Sequence, residues 1–341
     1  MTRVSRYVLS VFFQSFLSLF LTLFFLVTVI TFIRISKLTS LFSVSFTDLF
    51  EMYLYLLPEI TTYILPVTFF IALTMAIFRM SRDNESIVLF AMSLSPKKLS
   101  RLFFYLSLFT SILLLINAIF FIPISKQLGQ NFLEHKKMEA NINIKSSEFG
   151  QKFSSWNIFV DKLNGENYYK DIVLYEKDNE SGVDTFIISS SASVEKNSSR
   201  LELNLQHGSV YNLSNEKLRQ IDYEKLQITY SPDTKDIKSD DILAYWSQAL
   251  HDKSRAKKLS FAIMVAFFPL VSYLFALSFG IVNLRHQSPN VYLNMFLIII
   301  VFYLISYQVA LKIPLMGTGI SLIIFYLIST LVFHKKILAR Y

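Results

Sequence analysis

The residue types that perform catalysis or bind metals are sparse in this chain. It has five histidines and no cysteine, and no histidine occurs in an H-E-x-x-H arrangement. A zinc site needs three or four converging ligands, so we expect surface or interfacial histidines. They are His135, His207, His251, His286 and His334. The carboxylate pairs Asp240/Asp241 and Asp161/Glu166 lie in polar, turn-like sequence, which favours solvated side chains over acid–base work. We therefore expect no catalytic, cofactor or metal site.

The chain also lacks the glycine spacing that binds nucleotide phosphates. A G-x-x-x-x-G-K-[ST] loop wraps phosphates in backbone N–H groups, and none of the eight glycines occurs in one. Ion-driven carriers keep ionisable residues at mid-membrane depth, whereas the long apolar runs here contain no charge. Glu59 is the nearest candidate, but its place beside Pro58 favours an interfacial role. Active transport would therefore need a partner subunit that hydrolyses ATP.

The composition predicts an integral membrane protein. Hydrophobic residues make up 53% of the 341 residues and charged residues 17%, unlike a soluble domain. Six apolar runs approach or exceed the roughly 20 residues that cross a bilayer core, if Tyr53–Pro58 completes the second. They are Tyr7–Ile33, Thr61–Phe78, Leu102–Ile124, Leu259–Leu284, Gln287–Leu311 and Ile313–Phe333. The fold class is thus a polytopic α-helical membrane protein with six transmembrane helices.

The basic residues predict that both chain termini are cytoplasmic. Lys and Arg accumulate in short cytoplasmic connections, and one side of the predicted topology carries most of them. That side has Arg3, Arg6, Arg79, Arg82, Lys97, Lys98, Arg101, Arg285, Lys335, Lys336 and Arg340, and the other has Arg34, Lys37 and Lys312. Residues 125–257 hold 18 Lys and Arg against 20 Asp and Glu, and the rest holds 15 against 5. The net charge of +8 therefore reflects topology and not nucleic-acid binding.

Residues 125–257, between the third and fourth spans, predict a β-rich domain on the non-cytoplasmic side. Leu201, Leu203 and Leu205 alternate with polar residues, as in a half-buried strand. Other strand-like pieces include Asp171–Glu176 and Asp184–Ser189, and turn signals occur at Asn164-Gly165, Asn179–Gly182 and His207-Gly208. A helical extension of the third span through about Ala140 precedes them. The alternation fits a simple spacer or a sheet with a groove for lipid.

The segment Ser81–Arg101 connects the second and third spans and carries charged and apolar residues. Asp83 can cap a short helix whose first turn holds Glu85, a favourable place for a negative charge. An apolar body follows, with Ile87, Val88, Phe90, Ala91 and Met92. Ser95-Pro96 then predicts the N-cap and first residue of the third span. The alternative is an ordinary amphipathic interfacial loop.

The order of these parts resembles the lipopolysaccharide export permease family, LptF/LptG. The similar stretches are Arg6-Tyr7, Leu57-Pro58-Glu59, Ile64-Leu65-Pro66, Arg82–Leu94 and Ile281-Val282-Asn283-Leu284-Arg285. Together they extend over essentially the whole chain, and Pro58–Pro66 and Ser81–Glu85 are more similar to LptF than to LptG. Two positions depart from the family pattern, because Ser93 replaces a usual glycine and Leu284 the proline of an Asn-Pro-Arg turn.

The resemblance implies a permease subunit of an ATP-driven transporter in the bacterial inner membrane. Residues 1–124 would form helices 1–3, with a cytoplasmic coupling helix at about 83–94. Residues 125–257 would form a periplasmic β-jellyroll-like domain, and residues 258–341 would form helices 4–6. The implied partners are a cytoplasmic ABC ATPase dimer, a second related permease, a periplasmic bridge protein of β-jellyroll type and lipopolysaccharide.

Specific residues receive roles through the same resemblance. The residues implied to contact the ATPase are Glu85, Ile87, Val88, Phe90 and Met92. Arg34 matches a basic position of the family at the outer end of the first span, and it is implied to contact the phosphates of the lipid. Lys37 and Lys312 are further candidates, and ordinary snorkelling at the membrane interface is the alternative explanation for these residues. Exposing a 12-carbon chain to water costs on the order of 10 kcal/mol, so Leu201, Leu203 and Leu205 are predicted to line a lipid groove or the core beneath it. Alternative functions are a membrane-anchored receptor or scaffold and a lipid- or glycan-modifying enzyme.

Overall fold

The computed structural model describes 12 stretches of the chain, which together include most of the six spans and of the β-rich region. They are residues 3–37, 45–85, 95–142, 151–153, 156–163, 168–177, 184–197, 200–214, 217–230, 246–247, 252–282 and 290–339. The described residues fall into two compact units. One contains Met1–Ile35, Phe50–Gln127 and Ile237–Tyr341, and the other contains Ser36–Leu49 and Leu128–Asp236.

Six helices are long and apolar enough to cross a membrane, as the sequence predicted. Seven α-helical segments form them, with α3 and α4 both in the third span. The segments are α1 (Arg3–Ser36), α2 (Phe46–Arg82), α3 (Pro96–Ile116), α4 (Ile122–Ile142), α5 (Lys253–Gly280), α6 (Val291–Lys312) and α7 (Met316–Phe333). A π-helical turn, Asn117–Phe121, joins α3 to α4, so the third span continues through Ile142 as the predicted helical extension. A second π-helical turn, His334–Leu338, ends the last span.

Phenylalanine rings connect the six spans within the first unit. Phe12 of α1 contacts Phe69 of α2 and Phe103 of α3, with ring centroids 5.4 and 5.7 Å apart. The contacts continue from Phe70 to Phe268 of α5, at 5.5 Å, and from there through Phe302 of α6 to Phe325 of α7. Lipid tails are as apolar as these side chains, so packing and ring geometry hold the helices together more than water exclusion does. Helices α2 and α5 have the longest buried faces.

The second unit contains one six-stranded antiparallel sheet in which every strand pairs with its neighbours in sequence, in the order β1 to β6. The strands are β1 (Gln151–Phe153), β2 (Trp156–Leu163), β3 (Tyr168–Lys177), β4 (Asp184–Asn197), β5 (Arg200–Ser214) and β6 (Lys217–Tyr230). A single apolar cluster covers one face and includes Val160, Leu174, Leu203 and Leu205, each at most 1% exposed. This β-rich unit confirms the fold class predicted from the sequence.

At one level of the sheet, the alternation of buried and exposed residues is interrupted in several strands. We call this line of residues the crease. On β3 the buried residues are Tyr169, Ile172 and Leu174. Tyr169 and Ile172 are three positions apart and not two, so the alternation of buried and exposed residues shifts by one position at Asp171, where φ is 53°. On β5 the same change occurs at His207, where φ is 52°. The pairing register is identical on both sides of each crease position. The strands therefore bend without shifting, and the apolar face stays continuous.

Hydroxyl side chains satisfy backbone groups at the crease. The Ser189 hydroxyl lies 2.8 Å from the carbonyl oxygens of Ser191 and Gln206, and it accepts from the Gln206 N–H at 3.1 Å. Gly208 is required here, because a Cβ would lie 2.0 Å from the Ile188 carbonyl oxygen. The turn predicted at His207-Gly208 is wrong. These residues lie inside the 15-residue strand β5. The strand is continuous there, and only its alternation of buried and exposed residues is interrupted.

Candidate coupling site

Glu85 lies at the last described position before residues 86–94, and neighbouring elements fix its surroundings. Helix α2 ends at Arg82, and Asn84 adopts a φ of 60°, which turns the chain away from the helix axis. Asp83 lies 3.9 Å from Arg79 and 3.5 Å from Arg82 in ion pairs. The half-buried Glu85 accepts a 2.9 Å hydrogen bond from the Tyr7 hydroxyl of α1. The Glu85 carboxylate is therefore held by a residue 78 positions away in the chain.

The end of α2 is also packed against the end of α5. The Ser81 hydroxyl accepts from the Val282 N–H at 3.4 Å, and Ser81 is only 3% exposed. Gly280 allows close approach, since a Cβ there would lie 2.7 Å from the Ile77 Cβ. Two helix ends therefore form one rigid base immediately before Glu85.

The other end of the segment is a capped helix start. Ser95 has an extended backbone and its side chain accepts from the Lys98 N–H at 3.4 Å, with Pro96 as the first residue of α3. This confirms the N-cap predicted from Ser95-Pro96. Pro96 and Leu99 are buried, so α3 is anchored from its first turn. The described residues on either side of residues 86–94 are therefore both anchored in helices, at Ser81 and at Ser95-Pro96.

Several predicted residues of this region fall on the part of the chain that the structure leaves undescribed. The predicted ATPase contacts Ile87, Val88, Phe90 and Met92 lie outside the described residues, as do Ser93 and the stretch 283–285. Their roles remain predictions. The structure does place Glu85, at the point where the segment leaves α2.

The predicted phosphate-binding residues lie at helix ends far along the chain from Glu85. Arg34 is in the last turn of α1 and Lys312 in the last turn of α6, and both are exposed. Lys37 follows α1 directly, is exposed and belongs to the second unit. Cations at helix C-termini are favoured by the helix dipole, so their position alone does not require a ligand.

A polar brace joins the second and third spans at the end away from Glu85. The Asn117 amide donates to the Pro58 carbonyl oxygen and the Thr62 hydroxyl oxygen, at 2.8 Å each. The indole N–H of Trp246 donates to the Ile119 carbonyl oxygen at 2.9 Å, inside the π-helical turn. Charge in the apolar runs did not predict this brace, because its members are neutral. A lone asparagine in an apolar run was the available signal.

Two of the three predicted lipid-path residues, Leu203 and Leu205, lie on the apolar face of the sheet. Leu203 and Leu205 are 0% and 1% exposed and belong to the core cluster of the second unit. Leu201 lies on the same strand and pairs with Tyr230, and its side chain is outside the described part of the structure. The structure thus brings Leu203 and Leu205 together on one apolar surface.

Two titratable groups near the crease, Tyr223 and Asp222, have shifted pKa values. Burial raises the pKa of the Tyr223 phenol, so this group stays protonated and donates to the Ile188 carbonyl oxygen at 3.2 Å. Hydrogen bonds from Ser209 and Gln220 lower the pKa of the exposed Asp222 carboxyl, which stays ionised. Among the described residues, no group of three or more His, Asp or Glu side chains is arranged to hold a metal ion.

Comparison with known families identifies the chain. The model of the family described as lipopolysaccharide export system permease LptF/LptG matches residues 6–335. No curated protein sequence matched the chain. The match extends from the first turn of α1 to the start of the π-helical turn that ends the last span, and it includes the six spans and the inserted sheet. The chain therefore belongs to the LptF/LptG family of lipopolysaccharide export permeases.

Proposed function

We propose that this protein is the membrane half of an ATP-driven extractor of lipopolysaccharide. The family match over residues 6–335 carries the proposal, and the placement of Glu85 on a rigid base of helix ends supports it. In this proposal a cytoplasmic ABC ATPase dimer binds at Glu85 and the neighbouring residues 86–94. A second related permease completes the membrane complex, and ATP is hydrolysed only by the partner.

The energetics of the cargo support a need for both an ATPase and an apolar acceptor. Each buried CH₂ that enters water costs roughly 0.8 kcal/mol, so a lipid with several acyl chains costs several times 10 kcal/mol to expose. An apolar surface that receives the chains lowers this cost. The apolar face of the sheet, with Leu203 and Leu205, is the surface that we assign to this task, and Leu201 belongs to the same strand.

The cargo's phosphates would be recognised by basic residues. Arg34 is our first candidate, because a guanidinium pairs with phosphate through two parallel hydrogen bonds. Lys37 and Lys312 are the further candidates, as point charges without this geometry. All three are exposed at helix ends, where a headgroup in the interface can approach them.

The sheet would also deliver lipid to the periplasmic bridge. Strand β6, with 14 residues, pairs only with β5 and therefore leaves one edge of the described sheet open. Open edges add a further strand from a partner through backbone hydrogen bonds. We assign β6 as the edge that a β-jellyroll bridge protein joins. Strand β1 has only three residues and is the poorer template.

Affinity purification in mild detergent tests the class of function. We expect a cytoplasmic ATPase and a second permease to purify with the protein. Glu85→Lys should reduce the amount of ATPase recovered at least several-fold without lowering the thermal stability of the membrane part. Glu51→Lys, at the opposite end of α2, is the matched control and should retain the ATPase. A preparation containing neither partner would contradict the proposal and favour a receptor or scaffold.

Site-specific photocrosslinking tests the path of the lipid. A crosslinker at Leu203 or Leu205 should capture lipopolysaccharide only while ATP is turned over. The same probe at Asn204, the intervening residue of the alternating strand, is the control and should capture little. Equal capture from both faces, or none from the apolar face during turnover, would count against the assignment of this surface.

A further inference from the structure

One hydrogen bond connects the start of the first span to Glu85. Glu85 belongs to the segment Ser81–Arg101, which we call the coupling segment. The Tyr7 hydroxyl donates to Oε2 of Glu85 at 2.9 Å. Tyr7 is 46% exposed and Glu85 is half-buried, so a partner protein can reach both side chains. The bond therefore lies on a surface and not inside the helical unit.

Tyr7 is carried by a well-anchored part of α1. The next residue, Val8, is 1% exposed, and so is Phe12 one turn further on. Phe12 packs edge-to-face against Phe69 of α2 and Phe103 of α3. The Tyr7 hydroxyl is thus fixed relative to both helices that flank the coupling segment. A bond from this hydroxyl fixes the carboxylate of Glu85 in turn.

The charge state of the pair is as informative as its geometry. The two nearby arginines, Arg79 and Arg82, form ion pairs with Asp83, and the donor to Glu85 is the neutral phenol of Tyr7. A neutral donor orients a carboxylate without cancelling its charge. A carboxylate has about four lone-pair sites, and one phenol occupies one of them. Among the described residues Tyr7 alone donates to this carboxylate, and the other sites can accept from a cationic side chain of a partner, which makes the stronger, charge-assisted bond.

We propose that Tyr7 is a positioning residue that holds the Glu85 carboxylate ready for a basic groove on the ATPase. This inference rests on the proposed function, because it assigns a role to Tyr7 within that contact. Tyr7 acts before docking, by removing rotamer freedom that Glu85 would otherwise lose on binding. Immobilising one rotamer-rich side chain costs about 0.5–1.5 kcal/mol, equivalent to roughly a two- to tenfold change in affinity.

The test is a double-mutant cycle on the complete permease complex in nanodiscs. The complex's own ATPase is first removed and then titrated back, and its dissociation constant is measured. Tyr7→Phe deletes only the hydroxyl and should weaken ATPase binding about two- to tenfold. In a Glu85→Ala background the same substitution should have no effect, because its acceptor is gone. A purely structural role of Tyr7 would weaken binding equally in both backgrounds.

Two further measurements keep the outcomes distinct. Tyr292→Phe removes the hydroxyl of another exposed tyrosine near a helix start, and it should leave binding unchanged. Thermal unfolding of each variant reports whether the membrane part remains intact. If Glu85→Ala weakens binding and Tyr7→Phe does not, the positioning role is wrong and the proposed function stands. If no ATPase binds the unaltered complex, the proposed function itself has failed.

Discussion

At the scale of single residues, close approach of helix backbones depends on Gly280. A Cβ at this position would lie 2.7 Å from Cβ and 2.9 Å from Cγ2 of Ile77, and 3.0 Å from the Thr74 carbonyl oxygen. All three atoms belong to α2, and the last is backbone, which moves only if the helix moves. Small residues serve this purpose in membrane helix packing. The contact also keeps Val282 within reach of the Ser81 hydroxyl.

Gly280→Ala should therefore destabilise the helical unit. Overpacking typically costs about 1–3 kcal/mol, and we expect the thermal midpoint of the protein in detergent to fall accordingly. Gly319→Ala is the control, because a Cβ there would have no atom within 4 Å. The control should be as stable as the original protein or slightly more so, since alanine favours helix. Equal midpoints for the two variants would show that Gly280 is not a tight contact.

The sequence correctly predicted those residue roles that depend only on neighbouring residues in the chain. Ser95 and Pro96 form the predicted helix start because capping needs only adjacent residues. The Tyr7–Glu85 bond and the Asn117 brace were not predicted, since each joins residues more than 50 positions apart. Such pairs depend on how helices pack, which local patterns do not encode.

At the scale of elements, the crease explains why the predicted strands were too short. Asp171–Glu176 and Asp184–Ser189 were predicted as separate pieces because alternation starts or stops at their ends. The structure shows that β3 and β4 both continue past those points, to Tyr168 and Asn197. Alternation with a period of two records which face of the sheet each side chain occupies. At the crease this alternation shifts by one residue, so the pattern ends although the strand continues. Helices were predicted more completely because span length needs no alternation.

Ser189→Ala should weaken the sheet at the crease. Ser189 is 1% exposed and its hydroxyl lies within hydrogen-bonding distance of three backbone groups. Leaving buried polar groups unsatisfied costs about 1–3 kcal/mol. We expect faster cleavage of the second unit by protease in the intact protein under native conditions.

Ser193→Ala on the same strand is the matched control for this prediction. Ser193 lies opposite Asn204 in the regular part of the ladder and is only partly buried. Its loss should change the cleavage rate little. If both variants are cleaved at the same rate as the original protein, the hydroxyl does not stabilise the crease.

At the scale of the whole molecule, the distribution of basic residues predicts the orientation of both units. A fluorescent protein that matures only in the cytoplasm should fluoresce when fused after the last residue. Alkaline phosphatase, which is active only in the periplasm, should be active when inserted between β3 and β4. Exchanging the two reporters is the control and should abolish both signals. The opposite result would reverse the topology and exclude Glu85 as a contact for a cytoplasmic ATPase.

The strand order has a consequence for how the protein is made. Each strand after β1 pairs with the strand that precedes it in the chain, so no strand must wait for a distant part of the sequence. Sheets dominated by local pairings pay less loop-closure entropy before contacts form. In the predicted topology the β-rich unit crosses the membrane as an extended chain, N-terminal end first, and it can therefore add one hairpin at a time as it emerges. With no cysteine in the chain, this assembly is also independent of the oxidising power of the compartment.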